Sequence, residues 1–268
     1  MNCRILIACH KSCAVPEDDL YLPMQVGASG KESIGFQRDD EGDNISAKNA
    51  LFCELTGLYW CWKNLDSDYL GLSHYRRYFT LKSRAFQKKN GALRSVLTGQ
   101  ECETLLKDHK VIVPKKRHYF IETVYDHYSH TFSEEHLART RETLQELSPE
   151  YLPSFEKVMH QRSVYIFNMF IMPRDLVNSY CEWLFPVLSS LEKKVDTSSM
   201  SDFEKRYIGR ISERLFNVWL HHELENGYIK KEEMLEVPYL YIGKVKWTKK
   251  IIGFLSAKIL HKKYTESF

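Results

Sequence analysis

The chain has 268 residues, a length that suits one α/β domain of about 250 residues with a short tail. Its 43% hydrophobic and 27% charged residues are ordinary globular usage, which excludes a disordered chain, a collagen and a coiled coil. Lys and Arg outnumber Asp and Glu by only three, 38 against 35, so no nucleic-acid partner is expected. Aromatic residues, at 13%, suit a large core and sites that stack rings. The apolar runs near residues 164–173 and 251–260 are each about ten residues, against the roughly 20 a membrane span needs. The opening MNCRILIACHK reads as a first strand and not as a signal peptide. Seven Cys, an odd number with no C-x-x-C pair, predict reduced thiols and a cytoplasmic setting, without a structural zinc site.

In chain order, residues 4–9 form a buried strand ending in polar His10 and Lys11. A long Gly-, Asp- and Pro-rich loop over residues 12–44 is expected to be functional. Residues 45–64 predict one helix capped by Asn44, with Ile45, Phe52, Leu55, Leu58, Tyr59 and Trp62 on one face. Residues 68–73 are a second strand running into His74, Arg76 and Arg77. Residues 111–113 are a third, closed by Pro114 and the basic Lys115, Lys116 and Arg117. Residues 122–147 read as mostly helical. Residues 164–172 read as a fourth strand buried on both faces, and 176–191 and 203–224 as helices, the first with a kink at Pro186. Strands alternating with helices, each strand ending in polar residues, predict a mostly parallel open sheet. Ligands bind such sheets beyond the carboxyl ends of the strands. That places His10, Lys11, His74, Arg76, Arg77, the 115–117 trio and Asn168 around one site.

Arg76 and Arg77, in Ser73-His-Tyr-Arg-Arg-Tyr-Phe79, could face a diphosphate, because guanidinium forks match phosphate oxygens in pairs. An exposed turn paired with surface carboxylates is the other reading. Asp43, Asn44 and Lys48 join an acidic turn to a helix start, where free N–H groups can hold an anion or simply be capped. Asp66-Ser-Asp68 has metal-motif spacing but precedes its strand, so no metal ligand is assigned, although His74 stands in the slot a metal motif would take. Glu122, Asp126, His127 and His130 share one helical neighbourhood. They are either exposed polars or acceptor contacts, and H-x-x-H alone is weak evidence for zinc. Ser212 reads as a helix cap with Glu213 in the first turn, placed to act as general base or as a partner of Arg210. Residues 244–263 alternate Lys with Trp247, Ile251, Phe254 and Leu260. They predict a basic amphipathic tail, docked on the domain or lying on an anionic membrane surface.

Several stretches resemble a bacterial family catalogued as a domain of unknown function, found in capsular and exopolysaccharide gene clusters and taken to be glycosyltransferases. They are Asp43-Asn-Ile-Ser-x-Lys48-Asn49, Glu54-Leu-Thr-Gly-Leu-Tyr-Trp60, Tyr69-Leu-Gly-Leu-Ser-His-Tyr-Arg-Arg-Tyr-Phe79, Pro114-Lys-Lys-Arg117, Glu122-Thr-Val-Tyr-x-His-Tyr128, Asn168-Met-Phe-Ile-Met172 and Ser212-Glu-Arg-Leu-Phe-Asn-Val-Trp219. The resemblance implies a GT-A-like domain over residues 1–243, and the basic tail over 244–268 lies beyond it. It also implies transfer of a hexose, galactose in pyranose or furanose form being one candidate, from a UDP-sugar.

In that reading His10, Lys11, Asp43, Asn44, Lys48, His74 and Asn168 hold the donor. Arg76 and Arg77 neutralise the departing diphosphate, with Mn2+ or Mg2+ as a further counter-charge left open. Glu213 takes the acceptor proton, and Glu122 and His127 meet the acceptor. The acceptor is expected to be a lipid-linked oligosaccharide at the inner face of the cell membrane. The alternative is a non-catalytic nucleotide-sugar or carbohydrate-binding module on the same fold. A phosphotransferase is disfavoured because the chain has no G-x-x-x-x-G-K loop.

Overall fold

The computed structural model describes residues 1–243. The predicted tail lies outside the described residues. Among the described residues eleven strands form: β1 (Cys3–Cys9), β2 (Tyr21–Gln25), β3 (Gln37–Arg38), β4 (Tyr69–His74), β5 (Arg77–Phe79), β6 (Val111–Pro114), β7 (Arg117–His118), β8 (Ser163–Val164), β9 (Phe170–Pro173), β10 (Met234–Val237) and β11 (Tyr239–Tyr241). The main sheet has the order β10-β6-β9-β4-β1-β2-β3, and every strand on that path runs the same way except β9. The expectation of an α/β, mostly parallel sheet therefore holds. β5 and β11 form an antiparallel annex beyond β4, and β7 pairs with β8 apart from the main sheet.

Both faces are covered. Leu6, Leu70, Leu72, Val111, Val113, Phe170 and Met172 pack with helices Leu55–Asn64, Arg174–Lys194 and Tyr207–Glu225. Their neighbours Ile5, Ile7, Ile112 and Ile171 face the second core with Tyr78, Phe79, Val96 and Leu97. Successive strand residues alternate between two buried faces, so the strands read as unbroken apolar runs. Gly71 lies where β4 meets β9: a Cβ there would sit 2.9 Å from the Phe170 carbonyl oxygen.

Five features depart from expectation. The 12–44 loop contains β2 and β3, which extend the sheet's edge. The predicted 45–64 helix is a 3-10 turn (Ser46–Lys48), a short helix (Asn49–Phe52) and a longer one (Leu55–Asn64), broken at Cys53, whose φ is +53°. The 164–172 strand is interrupted by Phe167 and Asn168, at φ +73° and +52°. Ser212 caps nothing: the last long helix begins at Tyr207, and Ser212 is buried inside it. The box that does cap there is Ser201 with Glu204, ahead of Asp202–Lys205. Pro186 sits within an unbroken Arg174–Lys194 helix.

Candidate active site

Because β9 runs against its neighbours, its first residues reach the edge where β1 and β4 end. There a buried knot forms. Asn168 Nδ2 donates to Glu54 Oε1 at 2.8 Å, to Ser212 Oγ at 2.9 Å and to the Gly209 carbonyl at 3.4 Å. Glu54 reaches this point because the Cys53 break re-aims the chain. The Cys53 carbonyl is repaid by Asn49 Nδ2 at 2.7 Å and Thr56 Oγ1 at 3.1 Å. Gly209 permits the close approach, since a Cβ on it would meet Cys53 Sγ at 2.9 Å. Burial pushes the Cys53 thiol up to about 11.

His74 ends β4 with its side chain 13% exposed. Its Nε2 lies 2.6 Å from the Phe167 carbonyl and 4.0 Å from Glu54 Oε1. A carbonyl can only accept, so Nε2 carries the proton and Nδ1 is the acceptor in the neutral ring. Burial lowers the His74 pKa, Glu54 opposes that, and Arg77 adds to it. Asn168 Oδ1 is buried and has no partner among the described residues.

Around the knot stands a rim of basic side chains. Tyr75 gathers three basic side chains: His10 edge-on at 5.0 Å, Lys11 at 6.0 Å and the Arg76 guanidinium at 5.1 Å from the ring centre. Arg76 Nη1 also donates to Tyr241 OH at 3.4 Å. Arg77 lies over Phe167 at 4.0 Å and Tyr241 at 5.7 Å. Arg206 Nε reaches Cys53 Sγ at 3.4 Å. His10 senses this field: burial depresses its pKa first, then Lys11, Arg76, Arg206 and Lys31 depress it further.

Glu213 is one-fifth exposed and accepts from Arg214 Nη1 at 2.9 Å. Its charge is felt by His74, Arg206 and Arg210 as well. Burial lowers Arg210 to about 10. Arg210 sits between Phe132 and Phe203, at 4.2 and 4.0 Å, on a cavity of about 350 Å³ also lined by Thr131, Ser133 and Glu204. Beyond Arg214, buried Glu122 accepts from His127 Nδ1 at 3.0 Å, and His130 Nδ1 lies 3.3 Å from it. His127 stacks on Tyr119 at 4.0 Å, and burial lowers it to about 4 despite its bond to Glu122. Asp126 is the capping partner of Thr123.

Not every predicted site residue arrives here. Lys48 Nζ pairs with Glu192 Oε2 at 2.6 Å and lies over Phe52. Asp43 accepts from Tyr59 OH at 3.1 Å, and Asn44 bonds its own turn through Gly42 and Ser46. The Asp43 carbonyl accepts from Asn64, the last residue of helix Leu55–Asn64. A helix of that length puts it about 15 Å from Glu54. The Asp66-Ser-Asp68 pair is spent at the other end of β4, where Asp68 Oδ2 accepts from Asn2 N at 2.7 Å. Lys116 and Arg117 lie over Tyr165 and Tyr119. Glu54, Arg206 and Arg214 are not singled out by the sequence, and Arg210, expected as a partner of Glu213, gives that place to Arg214. Glu54 stands in a stretch that carries the family resemblance, whereas nothing in the sequence marks Arg206. Among the described residues no group of three or more His, Cys, Asp or Glu is placed to hold a metal ion.

Residues 4–224 match the family described as a domain of unknown function, DUF4422. The chain belongs to that family. Among solved structures it is similar to the apo structure of WbbM, a bifunctional glycosyltransferase, with a TM-score of 0.81 and 29% identity. The match covers 91% of this chain and 46% of that one, so the chain spans less than half of WbbM. No curated protein matches the chain. With that neighbour, the DUF4422 chain has an α/β, GT-A-like fold.

Proposed function

We propose that this DUF4422 chain is a glycosyltransferase that moves a hexose from a UDP-sugar to a hydroxyl of a lipid-linked oligosaccharide, in capsular or exopolysaccharide synthesis. It works in the cytoplasm, peripherally at the inner face of the membrane. The observation that carries this reading is the gathering of His10, Lys11 and Arg76 around Tyr75, beside Arg77 and the Glu54–His74–Asn168 knot. A nucleoside diphosphate ester is the ligand such a strand-end hollow favours. The glycosyltransferase neighbour supports the same class.

In this reading the diphosphate lies against Lys11, Arg76 and Arg77. Asn168, buried behind the sugar position, holds the Glu54 carboxylate in place. Glu213 takes the proton of the acceptor hydroxyl as its oxygen bonds the anomeric carbon. The bond from that carbon to the phosphate oxygen breaks, and UDP leaves with the electron pair. The arginines act where charge grows, so they lower the barrier more than they tighten ground-state binding. The acceptor chain runs from Glu213 toward the Arg210 cavity and the Glu122–His127 pair.

The test is UDP release over a panel of UDP-hexoses, UDP-galactofuranose included, with a decyl-diphosphate-linked sugar as acceptor, with and without manganese. Release that needs both donor and acceptor is expected. Donor binding without release under every condition would instead assign the fold to a non-catalytic module.

A further inference from the structure

The chain leaving β6 passes Lys115, Lys116, Arg117 and His118 before a tight turn at residues 119–121, on the same edge of the sheet as the candidate site. Tyr119 is buried against His127, and its N–H donates to the Arg162 carbonyl at 2.8 Å. The next two side chains point outward: Phe120 is 80% and Ile121 63% exposed. This exposure is built in. Phe120 is held at φ +60°, a conformation bulky residues rarely take. The Tyr119 carbonyl accepts from Ile121 N at 2.8 Å and Glu122 N at 3.4 Å, and Arg162 Nη1 reaches the Phe120 carbonyl at 3.5 Å. Two adjacent large apolar side chains presented this way mark a contact surface.

The surrounding charge says which kind. Lys115, Lys116, Arg117 and Arg162 have no ion-pair partner among the described residues. Three carboxylates lie near them: Glu122, bonded to His127 and His130, Asp126 in the Thr123 cap, and Glu236, which accepts from the Tyr165 hydroxyl under Lys116. An apolar tip next to four cations that form no ion pair complements the acyl and phosphate layers of an anionic membrane.

We infer that the 115–121 turn is a membrane-docking element. Phe120 and Ile121 enter the interface of an anionic lipid surface, while Lys115, Lys116, Arg117 and Arg162 meet its phosphate headgroups. This rests on the peripheral-membrane part of the function proposed above and gives it a location beside the site a lipid-linked acceptor must reach.

The experiment uses the full chain in sedimentation with phosphatidylethanolamine/phosphatidylglycerol vesicles and with phosphatidylcholine vesicles. The wild type binds the anionic vesicles preferentially. Phe120→Ser/Ile121→Ser weakens binding at least about tenfold, whereas Tyr228→Ser, another exposed aromatic, leaves it unchanged. Lys115→Ala/Arg162→Ala weakens it comparably, and that gap closes in 0.5 M salt. Circular dichroism reports that each variant is folded. UDP release to a soluble acceptor stays at the wild-type level in Phe120→Ser/Ile121→Ser. Folded variants that bind anionic vesicles like the wild type overturn the inference and leave membrane association to another part of the chain. A wild type that ignores both vesicles overturns it together with the peripheral reading, while UDP release separately decides the transferase reading. A wild type that self-associates through Phe120 and binds no vesicle assigns the turn to a protein contact and also overturns it.

Discussion

Asn168→Ala tests whether the knot at the strand ends holds the site together. The side chain makes a charge-assisted bond to Glu54 and a second bond to the Ser212 hydroxyl, and it is buried. The first is worth about 1.5–3 kcal/mol and the second about 1 kcal/mol. Asn tolerates the +52° φ better than Ala, which adds roughly 1 kcal/mol. The loss is then about 4 kcal/mol, or a fall in Tm on the order of 10 °C for a domain of this size. Urea unfolding followed by tryptophan fluorescence measures it. Asn168→Gly should recover about 1 kcal/mol of that loss, because it removes the backbone strain but not the missing bonds. A loss under about 1 kcal/mol in Asn168→Ala would refute the reasoning, because Glu54 would then need no partner there.

Three further outcomes follow from the same geometry. Arg76→Ala/Arg77→Ala should lower turnover by about 10²-fold or more with the fold retained, since both act on developing charge; wild-type turnover in a folded double variant would remove the diphosphate assignment. Glu213→Gln should cut transfer by about 10²- to 10⁴-fold while calorimetry shows donor binding little changed, and equal losses in both would make Glu213 a binding group. His127 is held at about 4 by burial, below the roughly 6.5 of an unfolded chain. Its contribution is therefore fully present above about pH 6.5 and is lost as pH falls toward 4, by on the order of 3 kcal/mol. Chemical denaturation across that window should show a steeper decline for the wild type than for His127→Gln, and parallel curves would contradict the assignment.

The central strands were legible because burial on both faces leaves unbroken apolar runs, as in Ile5-Leu-Ile7 and Val111-Ile-Val113. β2 was hidden by Pro23, which reads as loop, and β3 is too short to carry a pattern. The Cys53 break was invisible for a different reason. The apolar spacing of Phe52, Leu55 and Leu58 passes through it unchanged, and only a backbone dihedral records the turn. That turn aims Glu54, so the buried carboxylate was missed with it. The Ser201–Glu204 capping box was readable, yet a serine beside Glu213 looked equally good as a helix start. The strand-end residues His10, Lys11, Arg76 and Arg77 came out together because topology alone puts strand ends on one edge. Lys48, Asp43 and Asn44 were placed by local pattern, and tertiary packing sent them to Glu192 and to the end of helix Leu55–Asn64.

In the proposed reading, the reversed strand explains why the diphosphate's counter-charge would fall to arginine. Entering β9 against its neighbours requires the left-handed pair Phe167 and Asn168, and this pair turns the Phe167 carbonyl onto His74 Nε2 while driving Asn168 onto Glu54. His74 is thereby fixed as a donor to the backbone and, with burial and Arg77 both opposing its charge, held neutral at ordinary pH. A neutral imidazole cannot offset a diphosphate. The guanidinium groups of Arg76 and Arg77, whose forks match phosphate oxygens, stand beyond it on the rings of Tyr75 and Phe167. One antiparallel strand thus sets the backbone, the tautomer and the division of charge at the site.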